Sequence, residues 1–265
     1  MRVMTYNIKT GATGRREVVA AVVADAAPDI LALQELRGDA GPWLARRLGM
    51  RMVLARSWWG QPVAVLVHPR WEVRDRGVIA RPFHHAAARA EIATSAGPLR
   101  LVAAHLAPHW GWRRLHEARW LVSATRGARL ALVMGDLNTL DPWTDHTDRL
   151  RRLPAVHRVR HLRRRPFGAE RGPRDTGPFG RVDTRAVAAL DAAGLVDLFR
   201  AVGEGPGETA PTALGGPEFS GMRLDYLFAT GALAGYARDC RVLRTPDADR
   251  ASDHYPVVAD LDIAH

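Results

Sequence analysis

Four short clusters of acidic and amide residues stand at or just after the ends of apolar runs. They are Met4-Thr5-Tyr6-Asn7-Ile8, Leu31-Ala32-Leu33-Gln34-Glu35, Leu132-Val133-Met134-Gly135-Asp136-Leu137-Asn138, and Ser252-Asp253-His254, which leads into the last apolar run. Asp, Glu and Asn supply hard oxygen ligands, which suit Mg2+ or Mn2+. No Cys/His cluster has the spacing of a zinc site. A divalent ion held by such ligands polarises a phosphoryl oxygen and steadies a departing oxyanion. A carboxylate beside the attacking water orients or deprotonates it. A histidine places positive charge against the phosphorus centre when a neighbouring carboxylate keeps it protonated. Each cluster alone also reads as turn decoration: Asn7 as a turn residue, Glu35 as the start of a solvated loop, Asp136 and Asn138 as a capped Gly-Asp turn, Asp253-His254 as a strand-entry turn. But an apolar strand feeds each of the four. Strand ends are where a rigid scaffold aims polar groups into one cleft, so convergence is the expectation.

The elements that must position these groups alternate along the chain. Met1–Ile8 reads as a short strand. Arg15–Ala26 carries Val18, Val19, Val22 and Val23 on one helix face, and Pro28 closes it. Ile30–Leu33 reads as a buried strand and Trp43–Leu48 as a short helix. Val63–Val67, Trp71–Ile79 and Ala88–Thr94 follow as strands, with a Gly97-Pro98 turn before a strand over Leu99–Leu106. The pattern then predicts a helix over Trp112–Thr125, a strand over Leu130–Met134 and a helix over Arg185–Ala193, stopped by Gly194. Leu224–Ala229, Arg238–Leu243 and Tyr255–Leu261 close the chain as strands. Neighbouring strands point to antiparallel pairing and interspersed helices to outer layers. The expected fold is therefore α/β in the α+β sense: a four-layer sandwich of two packed, mostly antiparallel β-sheets flanked by helices. No linker or repeat divides it, so residues 1–265 read as one domain. One stretch, Asp141–Asp183, is rich in Arg, Pro and Gly, includes Arg163-Arg164-Arg165, and reads as a long loop or insertion outside the core.

Composition narrows the class. No window of about 18 uninterrupted apolar residues is present, so no membrane span is expected. The first residues, MRVMTYNIKTG, lack the apolar region and cleavage site of a signal peptide. Cys240 is the only cysteine, which excludes an internal disulfide; a cytoplasmic, monomeric protein is the expectation. The formal charge is +10, and Lys9 is the only lysine. Compositional bias explains Arg over Lys, but not the excess of bases over acids. Net positive charge attracts polyanions, so nucleic acid or another phosphate-rich partner is expected.

In order, TYNI, LQE, AHL, GDLN, RLDYLF and SDHYPV resemble the motifs of the endonuclease/exonuclease/phosphatase superfamily over about residues 2 to 262. The resemblance implies a Mg2+- or Mn2+-dependent phosphoric ester hydrolase. It implies that Glu35 is the main metal ligand, with Asn7 and Asp253 close to the metal. Asp136 and Asn138 would hold the attacking water and a phosphate oxygen. His254 would be the catalytic imidazole, with Asp225 hydrogen-bonded to it and keeping it protonated. His105, in AHL, would be a second imidazole touching the phosphate. Read from the residues alone, Asp225 also fits a salt bridge to Arg223. No stretch marks one branch of the superfamily.

Two tryptophan groups are candidates for a substrate surface: Trp58-Trp59, before a strand, and Trp110 with Trp112 beside Arg113 and Arg114. Aromatic residues among arginines stack bases while meeting phosphates. Of these, Trp110, Arg113 and Arg114 are the expected substrate contacts, with the Arg149–Arg185 stretch as a further polyanion-binding candidate. A nuclease cleaving DNA or RNA is the leading expectation. A phosphatase or phosphodiesterase acting on a nucleotide, sugar phosphate, lipid headgroup or metabolic intermediate is the alternative.

Overall fold

In the computed structural model, which describes residues 1–163 and 179–265, alternating side chains along each strand decide how the layers stack. Among the described residues twelve strands form two sheets. In the first, β1 (Arg2–Asn7), β2 (Ile30–Gln34), β3 (Arg51–Ala55), β4 (Val63–Val67), β11 (Ala237–Val242) and β12 (Val257–Leu261) lie in the order β11-β12-β1-β2-β4-β3. In the second, β5 (Val73–Val78), β6 (Ala86–Ile92), β7 (Leu99–His105), β8 (Leu130–Asp136), β9 (Leu195–Asp197) and β10 (Asp225–Thr230) lie in the order β5-β6-β7-β8-β10-β9. Along β2 and β4, Ile30, Ala32, Val63, Val65 and Val67 point between the sheets, where they meet Leu101, Ala103, Leu132 and Met134. The alternate residues Leu31, Leu33, Ala64 and Leu66 face outward onto the helices Arg16–Ala26 and Ala40–Arg47. On the far side Val102, Ala104, Val133 and Phe228 pack against Ala118 and Leu121 of the helix Gly111–Thr125 and Val187 and Leu190 of the helix Arg185–Ala192. Strands covered on both faces need apolar residues at every position, which is why they read as unbroken apolar runs.

The expected four-layer sandwich is therefore present. Among the described strands β1–β2 and β7–β8 pair in parallel and the other strand pairs are antiparallel. Each parallel pair is joined by one helical crossover, Arg16–Ala26 in the first sheet and Gly111–Thr125 in the second. Parallel neighbours end at the same edge, so the C-terminal ends of β1, β2, β7 and β8 lie together, and β10 begins beside them, with Asp225 opposite Asp136.

Two differences from the sequence reading matter. The short edge strand β3 and the three-residue β9 were not expected. Much of the Arg-rich stretch is packed rather than looped: helices Thr147–Arg152 and Ala155–Arg158 bury Leu150 and, beside it, Leu153 against Leu140 and Leu224. Arg164 and Arg165, with the rest of that stretch up to residue 178, lie outside the described residues.

Gly135, one residue before Asp136, has φ +149° and stands between Ala104 and Tyr226 on the flanking strands. A Cβ there would run into the Ala104 carbonyl oxygen. Gly135→Ala is expected to lose about 3 kcal/mol of stability from combined backbone strain and clash. Urea unfolding measures this, and an unchanged midpoint would contradict the packing.

Candidate active site

Asp136 closes β8 with its carboxylate buried where the two sheets meet. Its Oδ2 accepts a hydrogen bond from the Asn7 Nδ2 amide at 3.0 Å, across the gap between the sheets. The same oxygen lies 3.4 Å from His105 Nε2 and 3.9 Å from His254 Nε2. Its partner Oδ1 accepts from the Asn138 backbone N–H at 2.8 Å. Burial opposes ionisation of Asp136, but the imidazoles and that N–H outweigh it and hold the carboxyl well below the usual carboxylate range.

His254, just before β12, bonds through Nδ1 to Asp225 Oδ2 at 2.7 Å. Burial alone would discharge this ring. The Asp225 charge and hydrogen bond, then Asp136 and Asp253, overcome it and push His254 up to about 10. Burial pushes Asp225 up as well, so the pair shares one proton. We place that proton on the ring, because carboxylates face it from two sides. Phe219 meets His254 edge-on at 5.2 Å and shields that side. His105, at the end of β7, is likewise pushed up: burial lowers it, and the contact with Asp136 and the charge of Glu35 more than compensate.

Glu35, the first residue after β2, is only half-buried, so its carboxylate can be reached from the cleft. It adopts φ +61°, in the left-handed region. Oε1 accepts from Asn7 Nδ2 at 3.2 Å and Oε2 from the Thr10 N–H at 2.8 Å. Burial opposes its ionisation, but His105, that N–H and the Asn7 amide hold it below the usual range. One amide nitrogen of Asn7 thus bridges the Glu35 and Asp136 carboxylates. Asn7 itself is anchored by Ser252, whose Oγ donates to the Asn7 carbonyl at 2.6 Å.

The structure therefore brings Asn7, Glu35, His105, Asp136, Asp225 and His254 to one place. Asp253 joins them through Lys9, whose Nζ lies 3.3 Å from Asp253 Oδ2. Asn138 is adjacent with φ +49°, its Nδ2 tied to the Leu106 carbonyl at 3.0 Å. Arg223 is not the partner of Asp225; it turns to Asp197 at 2.7 Å.

The expected substrate contacts fare differently. Arg114 is buried: its guanidinium donates to the carbonyls of Ala107, Pro108 and Arg160, and desolvation lowers its pKa to about 10. It braces the loop after His105 instead of facing solvent. Arg113 Nη2 donates to the Pro82 carbonyl at 2.7 Å, and its Nε meets Glu117. Trp110 is half-buried, edge-on to His84 at 6.0 Å. Three residues that sequence reasoning passed over are part of the assembly. Lys9 is one. Buried Glu117 accepts from the His84 and Ala107 N–H groups at 2.6 and 2.7 Å, joining the loops on either side of His105. His85 stacks flat on His105, with ring centres 3.8 Å apart.

Carboxylates outnumber cations in this pocket, and a divalent ion fits that imbalance. Ligand atoms of Asp136, Asp225 and His254 come within 4.8 Å of one another, close enough to hold a metal. The imidazole Nδ1 in that trio is already taken by Asp225. The half-buried Glu35 carboxylate, with the buried Asn7 amide oxygen and Asp253, forms a second candidate set whose donors are all hard oxygens.

A family model described as "Endonuclease/Exonuclease/phosphatase family" matches residues 4–254. No curated protein matches the chain at a comparable level. Among solved structures, an endonuclease/exonuclease/phosphatase from Bacteroides vulgatus superposes with a TM-score of 0.70 at 17% identity, over 98% of this chain and 97% of that one. An AP endonuclease from Archaeoglobus fulgidus gives 0.69 at 20%, over 99% of each chain. The 3′ phosphatase NExo from Neisseria, bound to product DNA hairpin, gives 0.69 at 21%, also over 99% of each. At these identities the likeness establishes the shared fold.

The Asp225 contact generates a titration prediction. A histidine whose folded pKa is raised contributes stability that is full below its ordinary value of about 6.5 and is lost as pH rises through the folded value. For His254 that window closes near pH 10. In Asp225→Asn the charge is gone and burial remains, so the ring should titrate at or below about 6.5. Histidine NMR between pH 5 and 11 reads the change directly, and a His254 resonance that titrates alike in both proteins would sink the assignment.

Proposed function

The chain belongs to the endonuclease/exonuclease/phosphatase family, and from that premise we propose that it is a Mg2+- or Mn2+-dependent hydrolase of phosphodiester bonds in DNA or RNA. The observation that carries the reading is the Asp136 carboxylate, contacted at one oxygen by Asn7 and approached by His105 and His254. Members of the family are hydrolases of phosphoester bonds, and the phosphatase and AP endonuclease that share this fold act, by their names, on substrates of that kind.

The side chains divide the work. Protonated His254, its Nδ1 fixed by Asp225, offers Nε2–H to a non-bridging phosphate oxygen. His105 adds a second positive ring on the same side. Charge thus meets charge where negative density grows as the phosphorus becomes five-coordinate. Asp136, kept ionised by the imidazoles and the Asn138 N–H, accepts a hydrogen bond from the attacking water and fixes it in line. Asn138, beside it on a left-handed turn, holds a phosphate oxygen. Glu35, Asn7 and Asp253 would hold the metal, which would supply charge neutralisation to the phosphate as the bond breaks. The net charge of +10 favours a polyanionic substrate.

The direct test incubates the protein with plasmid DNA, an RNA oligomer and small phosphate esters, with Mg2+ or Mn2+. Cleavage of at least one nucleic acid is expected, and EDTA should abolish it. His254→Ala and Glu35→Gln should each lower the rate by about 10²- to 10⁴-fold while the thermal unfolding transition stays cooperative. Phosphate release from small esters without nucleic-acid cleavage would move the substrate assignment to small molecules. Full activity in His254→Ala would remove the mechanism.

A further inference from the structure

The turn between β3 and β4 holds the two most exposed large apolar side chains among the described residues. Trp58 is 96% and Trp59 80% exposed. An indole is among the largest apolar surfaces a residue can bury, and two bare neighbours make a contiguous patch of the sort that marks a binding surface. The turn itself is firmly held. Ser57 Oγ donates to the His84 carbonyl at 3.0 Å and accepts from the Trp59 and Gly60 N–H groups at 3.1 and 2.8 Å. The Gln61 N–H donates to His85 Nδ1 at 2.8 Å. Gly60 packs so closely that a Cβ would collide with the His84 carbonyl and the His85 ring. At the far end of the turn the Leu36 N–H donates to the Pro62 carbonyl at 3.1 Å.

These bonds place the tryptophans. The end of their turn, Gln61-Pro62, is fastened both to the residue after Glu35 and to the imidazole that stacks on His105, and its start, Ser57, to the His84 carbonyl. Between the indoles and the β5–β6 connection opens a cleft of about 370 Å3, lined by Trp58, Trp59, Arg56, Arg81, Phe83 and His85. Arg56 and Arg81 are exposed, and His85 is buried. Because His85 Nδ1 accepts the Gln61 hydrogen bond, Nε2 is the nitrogen that carries hydrogen on the neutral ring, and it has no partner among the described residues. The cleft therefore combines flat aromatic faces with two cationic side chains, and His85, in its lining, stacks on His105 of the catalytic pocket.

We propose that this cleft binds unpaired nucleotides next to the scissile phosphate, with bases stacked on Trp58 and Trp59 and backbone phosphates against Arg56 and Arg81. The inference rests on the nucleic-acid reading above and narrows it to substrates with a single-stranded or splayed-out segment. In a duplex each base already has its neighbours; an indole face is available only to a base that has left the stack. Stacking is indifferent to sequence, since every base has a π-face, while arginine supplies the attraction for the backbone.

Fluorescence anisotropy of a labelled single-stranded oligonucleotide, with Mg2+ and in the His254→Ala background, measures the site without turnover. Trp58→Ala and Trp59→Ala should each weaken binding by about fivefold to a hundredfold. Trp58→Phe and Trp59→Phe should restore most of it. A strand of the same length with abasic sugars should bind the parent about as weakly as the double alanine variant binds the ordinary strand. Circular dichroism should show the fold unchanged, since both rings are in solvent. Unaltered affinity in the double alanine variant overturns the proposal, as does absence of binding by the parent. So does tryptophan-dependent capture of anionic phospholipid vesicles without capture of the strand, which would make the patch a membrane contact. Binding and turnover fail separately. Tryptophan-independent binding by an active nuclease removes this inference alone, and an inactive protein whose tryptophans grip the strand removes only the hydrolase reading.

Discussion

A buried carboxylate at the seam between two sheets sets the terms for the rest of the molecule. Taking Asp136 out of water costs several kcal/mol unless charge and hydrogen bonds replace the lost hydration. The replacement comes from three directions: Asn7 at the end of β1, His105 at the end of β7, and His254 ahead of β12. Two of these belong to the first sheet's end of the chain and one to the second sheet. The sheets must therefore keep one relative placement at this edge, whatever freedom their apolar faces would allow. The same requirement explains Gly135, since β8 can deliver Asp136 there only by passing close under the Ala104 carbonyl.

The two parallel pairs are the means by which the backbone meets that requirement. A parallel pair joined by a crossover helix ends both strands at one edge, and doing so once in each sheet puts four strand ends around one point. The crossover helix of the second sheet also controls the rim. Glu117 gathers the His84 and Ala107 N–H groups, and Arg114 gathers the carbonyls of Ala107, Pro108 and Arg160. A single helix thereby holds the loops on either side of His105. Its charged residues are structural on the inner face.

The chemistry-bearing strand ends were legible because a β-strand covered on both faces is an apolar run, and a polar residue that ends such a run stands out. At Arg114 charge masks packing. Arg114, Glu117, Ala118, Leu121 and Thr125 are the buried stripe of their helix, at helical spacing. Counting residues would have placed Arg114 inward with Leu121. Its charge suggests an outward side chain, but a guanidinium with three carbonyl partners is stable inside. Charge masked packing in the same way at Leu150 and Leu153, which lie among arginines yet belong to an apolar cluster. Others left no local signal. The stacking of His85 on His105 joins strands through register, with Ala86 opposite His105, and register is not written in either segment alone. The ion pair of Lys9 with Asp253 joins the two ends of the chain.

The electrostatic layout also explains why a basic protein would carry so acidic a centre. Glu35, Asp136, Asp225 and Asp253 crowd a pocket in which Lys9, His105 and His254 are the cations. A phosphodiester brought there by the long-range positive field would meet a short-range negative surplus. A divalent ion on hard oxygen ligands would offset that surplus and make the pocket tolerable to the phosphate. The imidazoles stay charged only because the carboxylates surround them. The carboxylates stay ionised in turn only because the imidazoles are charged. Neutralising one member of this set therefore shifts the protonation of the others. Its effects on catalysis cannot be additive, because each residue's charge state is a property of the group.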